Sequence, residues 1–340
     1  MVVRIRWMAC VIGLPFILSS CYLARQGYTQ LSLLNRRQPI TEVIDRSDVD
    51  SQTKKKLAFT RDVLEFARKE ELVVGDSYQT FVKLDGPAVS YLVQASYPHE
   101  LKLKTWWFPI VGTVPYLGFF DVKERDNYAS ELEREGYEVF RGAASAFSSL
   151  GWFSDPVYSS MLKDDEVELA HLYFHELTHK TAWIKGSVEF NENFAEYIGE
   201  ALTEKFFKEL GRLEELESAK VRRRDRELFK VWLKDLKGSL EKIFEEHSSE
   251  SKDQLIQLKN NAIEIALSQR PKFQVADYIG QGKWNTPRIL ASSLYSPDTK
   301  KFQDAHRCLG LKTMGQFAGQ LKEILKRSSK AELEALPRCD

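Results

Sequence analysis

The chain has 340 residues, with 49 Lys+Arg balancing 49 Asp+Glu, 43% hydrophobic residues and 29% charged ones. That profile suits a globular protein with a substantial core and excludes collagen-like, low-complexity and mainly disordered chains. Formal neutrality offers no broad basic field, so nucleic acid is not an expected partner and any function must come from a local site.

In chain order, Arg4 and Arg6 precede the apolar run Trp7 to Leu18, which is interrupted by Gly13 and Pro15. The run is too short for a permanent bilayer span and reads as a secretory signal over residues 1–20. Leu18-Ser19-Ser20-Cys21 follows, a large apolar residue and two small ones before a Cys, which resembles the lipobox of bacterial lipoproteins. The resemblance implies lipidation of Cys21 and a mature chain held to a membrane by acyl chains rather than by a helix. It also implies a periplasm-facing place in the bacterial cell envelope. Tyr22 stands where an Asp would mark inner-membrane retention, so the outer membrane is favoured. The alternative is an ordinary signal peptide with a chance Cys. With Cys10 in the signal and Cys21 acylated, Cys308 and Cys339 remain, an even pair in an oxidising compartment. A disulfide between them would stabilise by roughly 3 kcal/mol; two unrelated thiols are the other reading.

Residues 48–72 carry charges around periodic Leu57, Val63, Leu64, Phe66 and Leu72, which predicts an amphipathic helix. Tyr78 to Tyr97 turns β-rich, with FVKL and VSYLV separated by the turn signal Asp85-Gly86-Pro87. The aromatic stretch Trp106 to Asp121 contains Pro109 and Pro115, which bar a central strand and leave an edge strand or extended loop. Its Thr113 to Phe119 part can accept substrate as an added strand, with Trp152 and Phe153 lining a cleft, or these aromatics are simply core. Residues 123–140 read as a helix, and 165–269 as almost entirely helical. Within the latter, 203–246 is dense in Lys, Arg and Glu and reads as a solvent-facing arm that continues to about 270 after a break at His247-Ser248-Ser249. The fold class expected is α+β, helix-dominated, with residues 21–340 as one domain.

Three of the six histidines, His171, His175 and His179, fall within nine residues. His175-Glu176-Leu177-Thr178-His179 lies in a segment with helical flanks, and a helix stacks residues i and i+4 on one face, so both imidazoles can reach one ion. Glu176 neighbours the first of them and can act as general base toward a metal-activated water without ligating the ion. After a break near Gly186 and a cap at Ser187, a second helix through Phe190-Asn191-Glu192-Asn193-Phe194-Ala195-Glu196 would return antiparallel. Glu192 then supplies a third ligand, and Glu196, one turn on, can accept a hydrogen bond from a ligand imidazole. The competing reading makes Glu192, Glu196 and Glu200 a solvated acidic ridge, but Phe190, Phe194, Ala195 and Ile198 argue for a packed helix. His171 is a rival third ligand. Three ligands in line on one helix span about 12 Å, too far for one ion, so His171 is a neighbour.

The pattern His175-Glu176-x-x-His179 followed by Asn191-Glu192-x-x-Ala195-Glu196 resembles the gluzincin metallopeptidases. Over most of the mature chain the sequence is similar to a family of bacterial proteins assigned as zinc aminopeptidases. The matching pieces are Cys21, QGYTQLSLL at 26–34, FPIVGTVPYLGFFD at 108–121, SSLGWFSDPVYSSM at 148–161, FHELTHKTAW and FNENFAEYIGE. The resemblance implies a zincin-like fold, one zinc ion per chain held by His175, His179 and Glu192, and Glu196 as support for a ligand imidazole. A peptide or protein is the implied substrate. Tyr295 is the candidate oxyanion donor by analogy, or else a packed aromatic. The twelve residues between His179 and Glu192 are fewer than in the large gluzincin families, so the connection must be tight. The G-x-M-E-N loop that holds a free amine in aminopeptidase-N type enzymes is absent, which leaves exo- and endopeptidase action both open. Two other readings stand beside a peptidase: an inactive envelope lipoprotein acting as a binding or regulatory module, and a hydrolase of a non-peptide amide.

Overall fold

The computed structural model describes residues 26–108, 112–144, 154–185, 187–274, 281–292, 299–326 and 336. Cys21, Trp152, Phe153, Gly186, Tyr295 and Cys339 therefore lie outside the described residues. The described residues open with a helix over 26–35 (α1), followed by a short strand Gln38–Pro39 (β1), α2 (Ile40–Asp45) and α3 (Ser51–Lys69). Asp50 starts α3 by accepting from the Thr53 N–H, and Leu57, Val63, Leu64 and Phe66 supply its buried stripe. Strands β2 (Thr80–Val82) and β3 (Ser90–Ser96) form on either side of the predicted turn but enter different sheets. β4 (Trp106–Phe108) and β5 (Gly112–Val114) make a hairpin, and β6 (Leu117–Phe119) pairs antiparallel with β3 at a sheet edge.

Helix α4 (Val122–Arg134) is capped by Asp121 and stops short of the predicted 123–140. Gly136 at φ 90° turns the chain, and Glu138–Ala144 becomes β7, antiparallel to β3 from Ser90↔Ala144 to Ser96↔Glu138. Cross-strand pairing over seven positions outweighs the helix preference of Glu138 and Arg141. β8 (Val157–Tyr158) runs parallel to β2. Then come α5 (Glu166–Thr181), α6 (Val188–Glu209), α7 (Leu213–Glu246), α8 (Lys252–Ser268), α9 (Thr286–Ser292), α10 (Lys300–Leu309) and α11 (Met314–Lys326). The protein is α+β and dominated by helices, with small sheets. No helix among the described residues is long and apolar enough to cross a membrane.

The main core gathers Leu57, Val63 and Phe66 of α3, Tyr173, Phe174 and Leu177 of α5, Phe194, Ile198 and Phe207 of α6, Phe302 of α10 and Phe317 of α11. A second cluster lies between α4 and the β6-β3-β7 sheet, around Val93, Phe119, Leu132 and Val139. A third joins Trp232, Leu236 and Leu240 of α7 to Ile263 of α8, to Trp284 just before α9 and to Ile289 within it. The expected solvent-facing arm is thus corrected. α7 begins in the main core with Leu216 and Ala219 and ends in the third cluster, spanning about 50 Å. The buried Lys259 of α8 pairs with Glu138 of β7 at 2.6 Å and ties the second and third clusters together.

One glycine is fixed by close approach. The Gly315 N–H donates to the Glu70 carbonyl at 2.8 Å, and a Cβ at this position would lie 2.1 Å from the Glu71 carbonyl oxygen. The obstacle is backbone and cannot rotate away. Gly315→Ala is expected to cost about 3 kcal/mol, measured as a lowered urea midpoint at unchanged slope.

Candidate functional site

Helix α5 is started by Asp165, whose carboxylate accepts from the Val167 and Glu168 N–H groups. Val167, Ala170, Phe174 and Leu177 bury one face, which turns His171, His175 and His179 toward α6. The helix ends at Thr181, whose hydroxyl donates to the Leu177 carbonyl and accepts from the Val73 N–H. Ser187 occupies the cap position of α6 but makes no side-chain cap bond. Asn191 does the work of the tight return: its buried carboxamide accepts from the Ile184 N–H at 2.9 Å and donates to the Ile184 carbonyl at 2.8 Å.

The two helices run antiparallel, because Glu192 lies opposite His175 and His179 while Glu196 lies opposite His171 and His175. His175 Nε2 and His179 Nε2 are 3.1 Å apart. Glu192 places one oxygen 3.3 Å from His175 Nε2 and the other 3.5 Å from His179 Nε2. A tetrahedral ion about 2.0–2.1 Å from each donor requires donors about 3.3 Å apart. The three residues can therefore hold one metal ion between them. His179 packs edge-on against Trp183 at 5.3 Å, and its Nδ1 has no hydrogen-bond partner among the described residues.

Electrostatics bind the group together without an ion. Burial works against charge on His175, but the Glu192 and Glu196 carboxylates raise it to about 9. Burial likewise pushes both carboxyls up, and the facing imidazoles overcome it and bring each down to about 2. His171 is lowered by its burial, with Glu196 opposing.

A cavity of about 470 Å³ opens beside the triad, with Glu168, His171, Glu176, Glu196, Arg222 and Arg226 on its walls. Glu176 lies on the wall of this cavity beside His175. A larger cavity, about 810 Å³ between β7, α8 and residues 282–285, lies away from the histidines. The smaller one carries His171, His175, Glu176 and Glu196 on its walls and is the better candidate.

Three contributors escape the sequence pattern. Arg222 and Arg226 come from the charged stretch read as an arm; Arg222 meets Asp165 at 2.7 Å and Arg226 meets Glu168 at 3.2 Å, making α7 a wall of the cavity. Their i,i+4 spacing was the available signal. Tyr78, in the left-handed region at φ 60°, packs tilted against Tyr173 with ring centroids 4.8 Å apart. Its burial first, and then the negative charge of Glu176, push its hydroxyl well above the usual range, so it remains a neutral phenol. Of the cysteines, Cys308 is disulfide-bonded; Cys339, its expected partner, lies outside the described residues, as do Cys21 and Tyr295.

No curated protein and no solved structure matches the chain. A family model described as "Putative aminopeptidase" matches residues 21–336, most of the chain and all of the site just described. The chain belongs to that aminopeptidase family.

Proposed function

We propose that the protein is a zinc-dependent metallopeptidase of aminopeptidase-like action, with His175, His179 and Glu192 as metal ligands and Glu176 as general base. The observation that carries this reading is the donor spacing of 3.1, 3.3 and 3.5 Å. Two imidazoles and a carboxylate leave a fourth zinc position open, as hydrolytic sites do and structural sites do not. When bound, the ion supplies Lewis acidity that lowers the pKa of water and polarises a scissile carbonyl. Glu176 accepts the proton of the attacking water on its carboxylate and returns it to the leaving amine. Glu196 stands 3.7 Å from His175 Nδ1 and keeps that ring turned so that Nε2 faces the triad. Membership of an aminopeptidase family supports a peptide substrate, and the cavity beside Glu176 is where it would lie. Acylation at Cys21 would place the enzyme in the cell envelope, at the outer membrane.

The test is a peptide-library digest with and without chelator. Removal of N-terminal residues, abolished by chelator and restored by zinc, is the expected result. Internal cleavage would reassign the enzyme as an endopeptidase, and intact peptides under all conditions would refute the proposal.

A pH effect follows from the ion-free electrostatics. His175 carries its proton up to about pH 9, so zinc must displace it. Zinc added to chelator-treated protein at pH 7.5 should displace the His175 proton in addition to any proton lost by the metal's water, and that His175 share should vanish well above pH 9, read with a pH indicator in weak buffer. In the metal-free chain the raised His175 contributes stability that is complete below its ordinary value of 6.5 and is lost as pH climbs through about 9. Glu192 and Glu196 contribute stability that is complete above 4.5 and is lost as pH falls through about 2.

A further inference from the structure

His171 stands outside the triad, yet its surroundings are built around it. Its Nε2 is 3.5 Å from Glu196 Oε2, and the same oxygen is 3.7 Å from His175 Nδ1. One carboxylate oxygen thus lies between two imidazoles whose ring centres are 6.1 Å apart. The backbone makes room for this arrangement. Gly199 of α6 lies against His171, and a Cβ there would come within 3.1 Å of Nε2 and 3.3 Å of the His171 carbonyl. His171 faces the cavity that holds Glu176 rather than the core, with about a quarter of its side chain exposed.

A carboxylate that must orient a ligand imidazole needs its own second anchor, because a Glu side chain has three rotatable bonds and one contact leaves its oxygens free to swing. Asn191, Phe190 and Phe194 fix the α6 backbone, and the Glu196 head is met by His171 and His175. From these contacts we infer that His171 is a positioning residue of the metal centre. It pins Glu196 against His175 Nδ1 and so holds His175 Nε2 toward His179 and Glu192. The relay His171–Glu196–His175 explains why a third histidine shares the helix stripe without being a ligand. It rests on the metal site proposed above.

The experiment measures zinc affinity of the full mature chain by competition with a chromophoric chelator, together with thermal midpoints. His171→Ala is expected to weaken zinc binding about 10–100-fold, and His171→Gln, whose carboxamide can still donate to Glu196, to recover most of it. Glu196→Gln should cause a loss of similar size, and His171→Ala added to it should cost little more, because both act through one contact. Midpoints of metal-free His171→Ala and His171→Gln should stay close to that of the metal-free wild type, whereas Glu196→Gln also loses the ion-free pairing of Glu196 with His175. Zinc affinity of His171→Ala within twofold of wild type would overturn the inference, as would losses that multiply in full in the double variant. A His171→Gln variant no better than His171→Ala would also count against it. A wild-type chain that takes up no zinc would instead overturn the metallopeptidase reading and this relay with it.

Discussion

Glu176→Gln is expected to retain zinc at wild-type stoichiometry and to lose about 10²–10⁴ in kcat, the usual contribution of a positioned proton acceptor. The carboxamide has the shape of the carboxylate but cannot take a proton at neutral pH, so packing on the cavity wall is preserved while the proton has nowhere to go. Because the step is made in the transition state, kcat and kcat/KM should fall together, with KM little changed. Residual activity within tenfold of wild type at equal zinc content would assign the proton transfer elsewhere.

Much of this site is legible in the sequence because its logic is local. The His175/His179 spacing needs only that residues 166–181 be helical, and Asp165 with its acidic first turn declares that start. Glu192 and Glu196 follow from a second helix returning across a short connection. The sequence demands that the connection be tight; how it closes was not readable, because Asn191 closes it through Ile184 rather than Ser187 through a cap. Local patterns misread the segments whose state is decided by distant partners. Glu138–Phe140 scans as the end of a helix until β3 supplies seven pairing positions. The arginines of α7 scan as solvated until Asp165 and Glu168 supply their counter-ions. Trp232, Leu236 and Leu240 looked like the thin apolar stripe of an exposed arm, yet they form a core with α8 and α9. A 34-residue helix with charges on one side and these residues on the other is amphipathic in both senses, and only the tertiary partners reveal which face is covered.

Glu192→Ala is expected to have the largest effect on the metal. Apparent binding energies of four-ligand zinc sites, about 10–16 kcal/mol, divide to roughly 3–4 kcal/mol per ligand, so loss of one ligand should weaken zinc about 10²–10³-fold. Here the carboxylate is also the group that holds the two imidazoles together, one oxygen to each. In its absence the Nε2 atoms 3.1 Å apart face each other with no anion between them, and His175, deprived of one of the three carboxylates that raise it, Glu192, Glu196 and Glu176, should protonate less readily. The metal-free variant should therefore release fewer protons per zinc at pH 7.5 than the wild type, even where zinc is forced on at high concentration. Those two changes, weaker zinc and a smaller proton release, separate removal of a ligand from general damage to α6, which would lower the thermal midpoint without altering proton stoichiometry. Zinc bound as tightly by Glu192→Ala as by wild type would show that the ion, if it binds, takes its third ligand from another residue. Glu196 would then be the first to test in that role, since it is the next carboxylate along the same helix pair.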